Sequence, residues 1–121
     1  MVQIGDIYWF PVFYPATGET ETRPVVIINI FDGQPIIATF AAITGSPIRS
    51  FDDRYDKWQV PIFHWPSSGL QKPSYVKANC IATVNATAFD PKNVIGKIHH
   101  KDFLNIKKKI EDFINSGENP W

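Results

Sequence analysis

The sequence predicts a small, mainly β domain with some α content: a strongly curved antiparallel β-barrel closed at one end by a C-terminal helix. Three observations carry that expectation. From Asp6 to Val84 the apolar residues fall in short runs rich in β-branched and aromatic side chains, punctuated by Gly, Pro, Asp and Asn. A helical period appears only near the C-terminus. At 121 residues, a closed small barrel is an economical way to remove exposed strand edges.

Ile7 to Phe13 is the first strand, and Pro11 within it implies an edge or a bulge because proline has no N–H for a ladder. Tyr14 to Thr22 is a polar, turn-forming loop. Arg23 to Ile30 follows as a nearly continuous apolar strand, the pattern of burial on both faces. Asp32-Gly33 signals a hairpin into a strand from Pro35 to Ile43. Gly45 to Lys57 is a charged loop, Trp58 to Ile62 a short strand, Pro66 to Pro73 a second loop, and Tyr75 to Val84 a long strand. Phe103, Ile106, Ile110, Phe113 and Ile114 then form one apolar stripe on a helix of about residues 101–115, followed by a tail over 116–121. With no repeat, linker or low-complexity tract in the chain, residues 1–121 are expected to form a single domain.

Bulk properties exclude several classes. Twelve Lys and Arg balance twelve Asp and Glu, so tight nonspecific binding to nucleic acid has no basis in net charge, and any such site must be a local cluster. The single cysteine, Cys80, makes no internal disulfide and suits a reducing cytosol. His64, His99 and His100 lack the spacing of a metal site, and no metal or other cofactor is expected. No apolar run reaches membrane-spanning length, and the N-terminus lacks the pattern of a secretory signal.

Several segments, in order, resemble the MazF/PemK (Kid) toxins, whose fold is the SH3-like, CcdB-like small barrel. They are Gly5-Asp6-Ile7-Tyr8-Trp9, Arg23-Pro24-Val25-Val26-Ile27-Ile28, Ala42-Ile43-Thr44, Gly69-Leu70-Gln71-Lys72-Pro73-Ser74-Tyr75-Val76 and Ile95-Gly96-Lys97-Ile98. The resemblance spans residues 5 to about 114. It implies the toxin of a bacterial, cytoplasmic type II toxin–antitoxin system that cuts single-stranded RNA without a metal. In that reaction the ribose 2′-oxygen attacks the adjacent phosphorus, leaving a 2′,3′-cyclic phosphate and a 5′-hydroxyl. A homodimer and an antitoxin with an acidic, folding-on-binding tail are implied as partners.

Such chemistry needs a base at the 2′-hydroxyl, an acid at the departing 5′-oxygen and donors around the phosphorane. Arg23 matches the family's catalytic arginine, and its permanently charged fork suits two phosphate oxygens; without the resemblance it would read as a surface arginine pairing with its loop. Thr44 matches the family's active-site hydroxyl, and Ser46 stands close enough to assist. Glu19 and Glu21 are the carboxylates nearest Arg23 in sequence and the candidates for the base. Lys77 and Asn79 stand where PemK-like members carry an arginine and an acidic residue; a lysine still offers a cation, whereas an asparagine cannot act as a base. Arg49, Arg54, Lys57 and Lys77 form the basic set expected to face RNA or an acidic tail, with Tyr14, Phe51, Tyr55, Trp58 and Trp65 available to stack on bases. His64 is a further RNA-facing candidate, weighed against a histidine packed among aromatics. His99 and His100 are expected to be structural, and Cys80 an unreactive strand residue.

Two rival functions remain open. Asn79 favours a small-barrel module that binds nucleic acid or protein with weak or no catalysis. The closing Asn119-Pro120-Trp121 allows, less well, a CcdB-like poison of DNA gyrase.

Overall fold

The computed structural model describes residues 1–48 and 56–121. Six strands, β1 (Asp6–Tyr14), β2 (Glu19–Phe31), β3 (Ile37–Thr44), β4 (Gln59–Pro61), β5 (Tyr75–Asn85) and β6 (Val94–Lys97), precede one helix, α1 (His100–Ser116). The strands form one antiparallel sheet in the order β4-β5-β3-β2-β1-β6, curled into a half-barrel. This is the mainly β architecture expected, with β6 as a strand that the sequence pattern did not reveal. None of its four residues is buried, and they carry no clear alternation.

The curl gives two apolar clusters. On one face Ile7, Val26, Ala41, Ile43 and Val76 pack with Ile106 and Ile110 of α1. On the other Tyr8, Val12, Val25, Ile27 and Phe40 pack with Phe89. β2 feeds both, which is why Val25, Val26 and Ile27 are all fully buried and the strand reads as continuously apolar there.

Two connections differ from expectation. The β1–β2 turn is tight: the amides of Thr17 and Gly18 both bond the Tyr14 carbonyl, and Gly18 takes φ 74°. Glu19 to Thr22 therefore continue β2, opposite Tyr14 to Pro11, and are not loop. The Asp32-Gly33 turn is longer than a two-residue hairpin, since pairing starts only at Phe31↔Ile37. Gly33 does not adopt positive φ, and Pro35, preceded by a cis peptide bond, has no N–H to extend the ladder.

Pro11 occupies an edge as expected, because β6 pairs with β1 only between Asp6 and Tyr8. Pro24 matters more. Pairing between β2 and β3 starts at Val25↔Ala42, one residue after Pro24, while β3 goes on to pair with β5 through Thr44↔Tyr75. β2 and β3 thus splay apart beyond Val25 and Ala42, and Arg23 and Thr44 face each other across the notch.

α1 extends the expected helix by a residue at each end. His99 caps it, its Nδ1 accepting the Lys101 amide at 3.1 Å, and Gly117 ends it in the left-handed region at φ 72°. Ile106, Ile110 and Phe113 are buried as the stripe requires, whereas Ile114 is exposed. Asp102 takes a buried place: its carboxylate accepts the amides of Phe63 and His64 at 3.1 and 2.9 Å, fixing the loop after β4 to the helix.

Candidate active site

A cleft of about 530 Å³ opens at the splayed end of β2 and β3. Alternation along β2 puts Glu19, Glu21 and Arg23 on one side of the sheet, a placement that exists only because these residues are strand. All three line the cleft, with Thr44 and Ser46 from the end of β3 and Lys77 and Asn79 from β5. With Tyr14 at the end of β1, eight residues singled out by the sequence thus converge here. Arg49 and Arg54, like Phe51 and Tyr55, lie outside the described residues.

Arg23 is fixed from two sides. Its Nε donates to Glu21 Oε2 at 2.7 Å and its Nη2 reaches the same oxygen at 2.6 Å. Its guanidinium carbon stands 5.9 Å from the centre of the Tyr14 ring. Both contacts use one carboxylate oxygen and one edge of the guanidinium, so Glu21 Oε1 and Arg23 Nη1 keep bonding capacity for a ligand. Burial pushes the Tyr14 hydroxyl above its ordinary pKa, with Arg23 opposing that shift. Thr44 Oγ1 accepts the Ser46 amide at 3.1 Å, which leaves the hydroxyl proton free to donate elsewhere.

β5 is irregular at the cleft. Its pairing with β3 jumps from Ala41↔Ile81 to Ala42↔Lys77, so Ala78, Asn79 and Cys80 bulge out of register. Asn79 is buried, and the Cys80 thiol beside it is held above its ordinary pKa by burial, against the pull of Lys77. Among the described residues Lys77 forms no ion pair.

Besides the turn residues Pro15, Ala16 and Thr17, the cleft lining includes Pro47, Asp56, Gln59 and Trp121, which escaped the sequence reading as site candidates. Gln59 is brought to the cleft by β4–β5 pairing, which sets it opposite Lys77. It is buried, and among the described residues its Oε1 has no hydrogen-bond partner. Trp121 carried no local signal: its amide donates to the Asn79 carbonyl at 2.9 Å, and its ring meets Tyr14 edge-on with centroids 5.5 Å apart. The C-terminal residues, which read as a loose end, fold back onto the sheet.

Two candidates stand elsewhere. Lys57 pairs with Glu118 at 2.7 Å and lies over the Trp58 ring rather than in the cleft lining. His64 is tied to the helix start: its Nδ1 lies 3.1 Å from Asp102 Oδ2, and its ring stacks on His99 at 3.9 Å. His64 therefore sits against α1, outside the cleft.

The described cleft lining brings Glu19, Glu21 and Asp56 together with Arg23 and Lys77. That set offers carboxylates as proton acceptors, an ammonium as proton donor and a guanidinium and hydroxyl as oxyanion donors. Among the described residues no group of three or more His, Cys, Asp or Glu is placed to hold a metal ion.

Solved structures share this fold. The chain matches the toxin MazF-mt6 of Mycobacterium tuberculosis with a TM-score of 0.65 at 19% identity, over 96% of this chain and 99% of that one. It matches an endoribonuclease in complex with its cognate antitoxin, from a mycobacterial species, with a TM-score of 0.67 at 16% identity, over 100% of this chain and 99% of that one. MazF of Deinococcus radiodurans matches with a TM-score of 0.62 at 11% identity, over 94% of this chain and 96% of that one. No curated protein matches by sequence. At these identities the structures establish the fold, while the family follows from the sequence match over residues 3–114: the chain belongs to the PemK-like, MazF-like toxins of type II toxin–antitoxin systems.

Proposed function

We propose that this toxin is a metal-independent endoribonuclease that cuts single-stranded RNA at a short sequence motif, leaving 2′,3′-cyclic phosphate and 5′-hydroxyl ends and so stopping translation and growth. The observation that carries this reading is the convergence of Arg23, Thr44, Lys77 and a carboxylate-bearing strand face on one cleft.

In this reading the scissile phosphate sits at the notch between Arg23 and Thr44. Glu21, through its uncommitted Oε1, takes the proton of the attacking 2′-hydroxyl. Arg23 Nη1 and the Thr44 hydroxyl bind the non-bridging oxygens as negative charge grows on them. Lys77, free of ion pairs among the described residues, gives a proton to the departing 5′-oxygen. Glu21 also anchors the guanidinium, so one strand face holds base and charge stabiliser in fixed relation. Asn79, in place of an acidic residue, is left the role of a hydrogen-bonding partner to the nucleotide. Ser46, Glu19, Arg49, Arg54, Lys57 and His64 serve RNA binding or stay peripheral to it.

The family membership supports a cognate antitoxin as partner, and a homodimer with both copies contributing to the RNA groove. It also supports action in the bacterial cytoplasm. Among the described residues no helix is long and apolar enough to cross a membrane.

The test is to incubate the purified chain and Arg23→Ala with a long unstructured RNA in EDTA and map the fragment ends. Cleavage at a recurring motif with cyclic phosphate ends, reduced about 100-fold or more by Arg23→Ala, is expected. The binding-module reading is favoured by one observation, the buried Asn79 at the family's acidic position. It predicts RNA left intact by both proteins.

A further inference from the structure

We propose that the reacting centre lies on a saddle between two clefts, and that the second cleft, built by Trp9 and Lys72, seats the nucleotide on the other side of the scissile phosphate. The proposal rests on the ribonuclease reading. An endonuclease must hold its strand on both sides of the bond it breaks, and the residues assigned to the chemistry border two clefts rather than one.

The second cleft, of about 480 Å³, is lined by Trp9, Thr22, Pro24, Gly45, Lys72 and Ser74. It shares Glu21, Arg23 and Thr44 with the first, and these are the residues assigned to the chemistry. The shared wall follows from Pro24. Where the β2–β3 ladder stops after Val25↔Ala42, the gap between the strands can be reached from both faces of the sheet. Trp9 lies opposite Pro24 on β1, and alternation turns it to the face away from Tyr8 and Phe10. Trp9 is 47% exposed, whereas the same face elsewhere buries Ile7.

Lys72 supplies the charge. A side chain at Gly45 would place its Cβ 2.7 Å from Lys72 Nζ and 2.5 Å from Cε. The lysine tip therefore rests on the backbone next to Thr44, in room that only a glycine leaves. Ser74 Oγ donates to the Lys72 carbonyl at 2.9 Å and holds the loop in this approach. Among the described residues Lys72 forms no ion pair. An exposed indole beside an unpaired ammonium is the pairing that stacks an unstacked base and binds its phosphate.

The experiment is steady-state cleavage of a short RNA carrying one mapped motif, by the wild type, Lys72→Ala, Lys72→Arg and Trp9→Ala. The expected result for Lys72→Ala is a KM about tenfold higher, with the loss on KM rather than kcat. The slope of log kcat/KM against log salt should also flatten by about 0.7, as for one lost phosphate contact on a single strand. Lys72→Arg should restore both. An abasic substitution moved along the RNA should cost the wild type at one flanking position where it costs Trp9→Ala nothing, a coupling that loss of folding cannot imitate. Unchanged KM and salt slope in Lys72→Ala, or equal abasic penalties in wild type and Trp9→Ala, would overturn the subsite while leaving the ribonuclease intact. So would a Trp9→Ala protein that cleaves normally but sediments as a smaller species, which would assign Trp9 to a contact between copies of the chain. A wild type that cuts no RNA removes the ribonuclease reading itself, and the subsite with it.

Discussion

At the scale of single residues the site depends on which polar groups are already committed. Arg23 and Glu21 bind each other through one oxygen of the carboxylate, so each keeps a free atom for substrate. Glu21→Gln keeps an oxygen for Arg23 and removes the base; kcat is expected to fall about 100-fold with a small change in KM, measured by single-motif cleavage kinetics. Asp56→Asn and Glu19→Gln are expected to keep kcat within a few-fold of the wild type, and the reverse ranking would move the base to whichever carboxylate proved essential. Cys80 illustrates the opposite condition. It borders the cleft, yet burial holds its thiol protonated, so it contributes packing rather than chemistry.

At the scale of elements, the start of α1 is a junction that the hydrophobic pattern did not announce. Asp102 is 1% exposed and accepts two backbone amides and the His64 ring nitrogen across a separation of some forty residues in sequence. Asp102→Ala removes the buried acceptor of two part-buried amides, and a loss of about 2 kcal/mol is expected, read from the shift of the urea unfolding midpoint. The cap gives a separate, pH-dependent signature. Desolvation, followed by the charges of His64 and His100, holds the His99 pKa below its ordinary 6.5. The folded state therefore prefers neutral His99, whose Nδ1 must be unprotonated to accept the Lys101 amide. A group with a depressed folded pKa adds stability above its unfolded value and loses it as the pH falls below that value. Thermal melts are expected to show Tm declining below pH 6.5, and declining less in His99→Ser, because a serine caps a helix at any of these pH values.

At the scale of the whole molecule, one curled sheet carries a core on each face, and the helix closes only one of them. Ile106 is fully buried at that closure, in one cluster with residues of β4 and β5 beneath the helix and of β1, β2 and β3 beyond them. Ile106→Ala is expected to cost about 2–5 kcal/mol by chemical denaturation. The cleft lies where the other core meets the splayed strand ends, so much of this loss falls on stability before it reaches the site. The second cleft follows from the same arrangement: a sheet split at Pro24 has an opening on each face, and the reacting residues stand between them.

By itself the sequence determined the mainly β class, most of the strands, the helix and the family. Each of these is written in local pattern, as alternation, β-branched runs, a 3.6-residue stripe or motifs in a fixed order. It also singled out Arg23, Thr44, Glu19, Glu21, Lys77, Asn79 and Ser46, which converge on one cleft. Tertiary structure decided what pattern cannot encode. Glu19 and Glu21 looked like loop residues because polar alternation at an exposed strand end resembles a turn, and only pairing with β1 put them on the Arg23 face. His64 and Lys57 were near the site in reading order, but a buried carboxylate and a tail glutamate draw them elsewhere. Trp121, Gln59 and Lys72 entered the clefts through contacts with residues far from them in sequence, and such contacts exist only once the chain has folded.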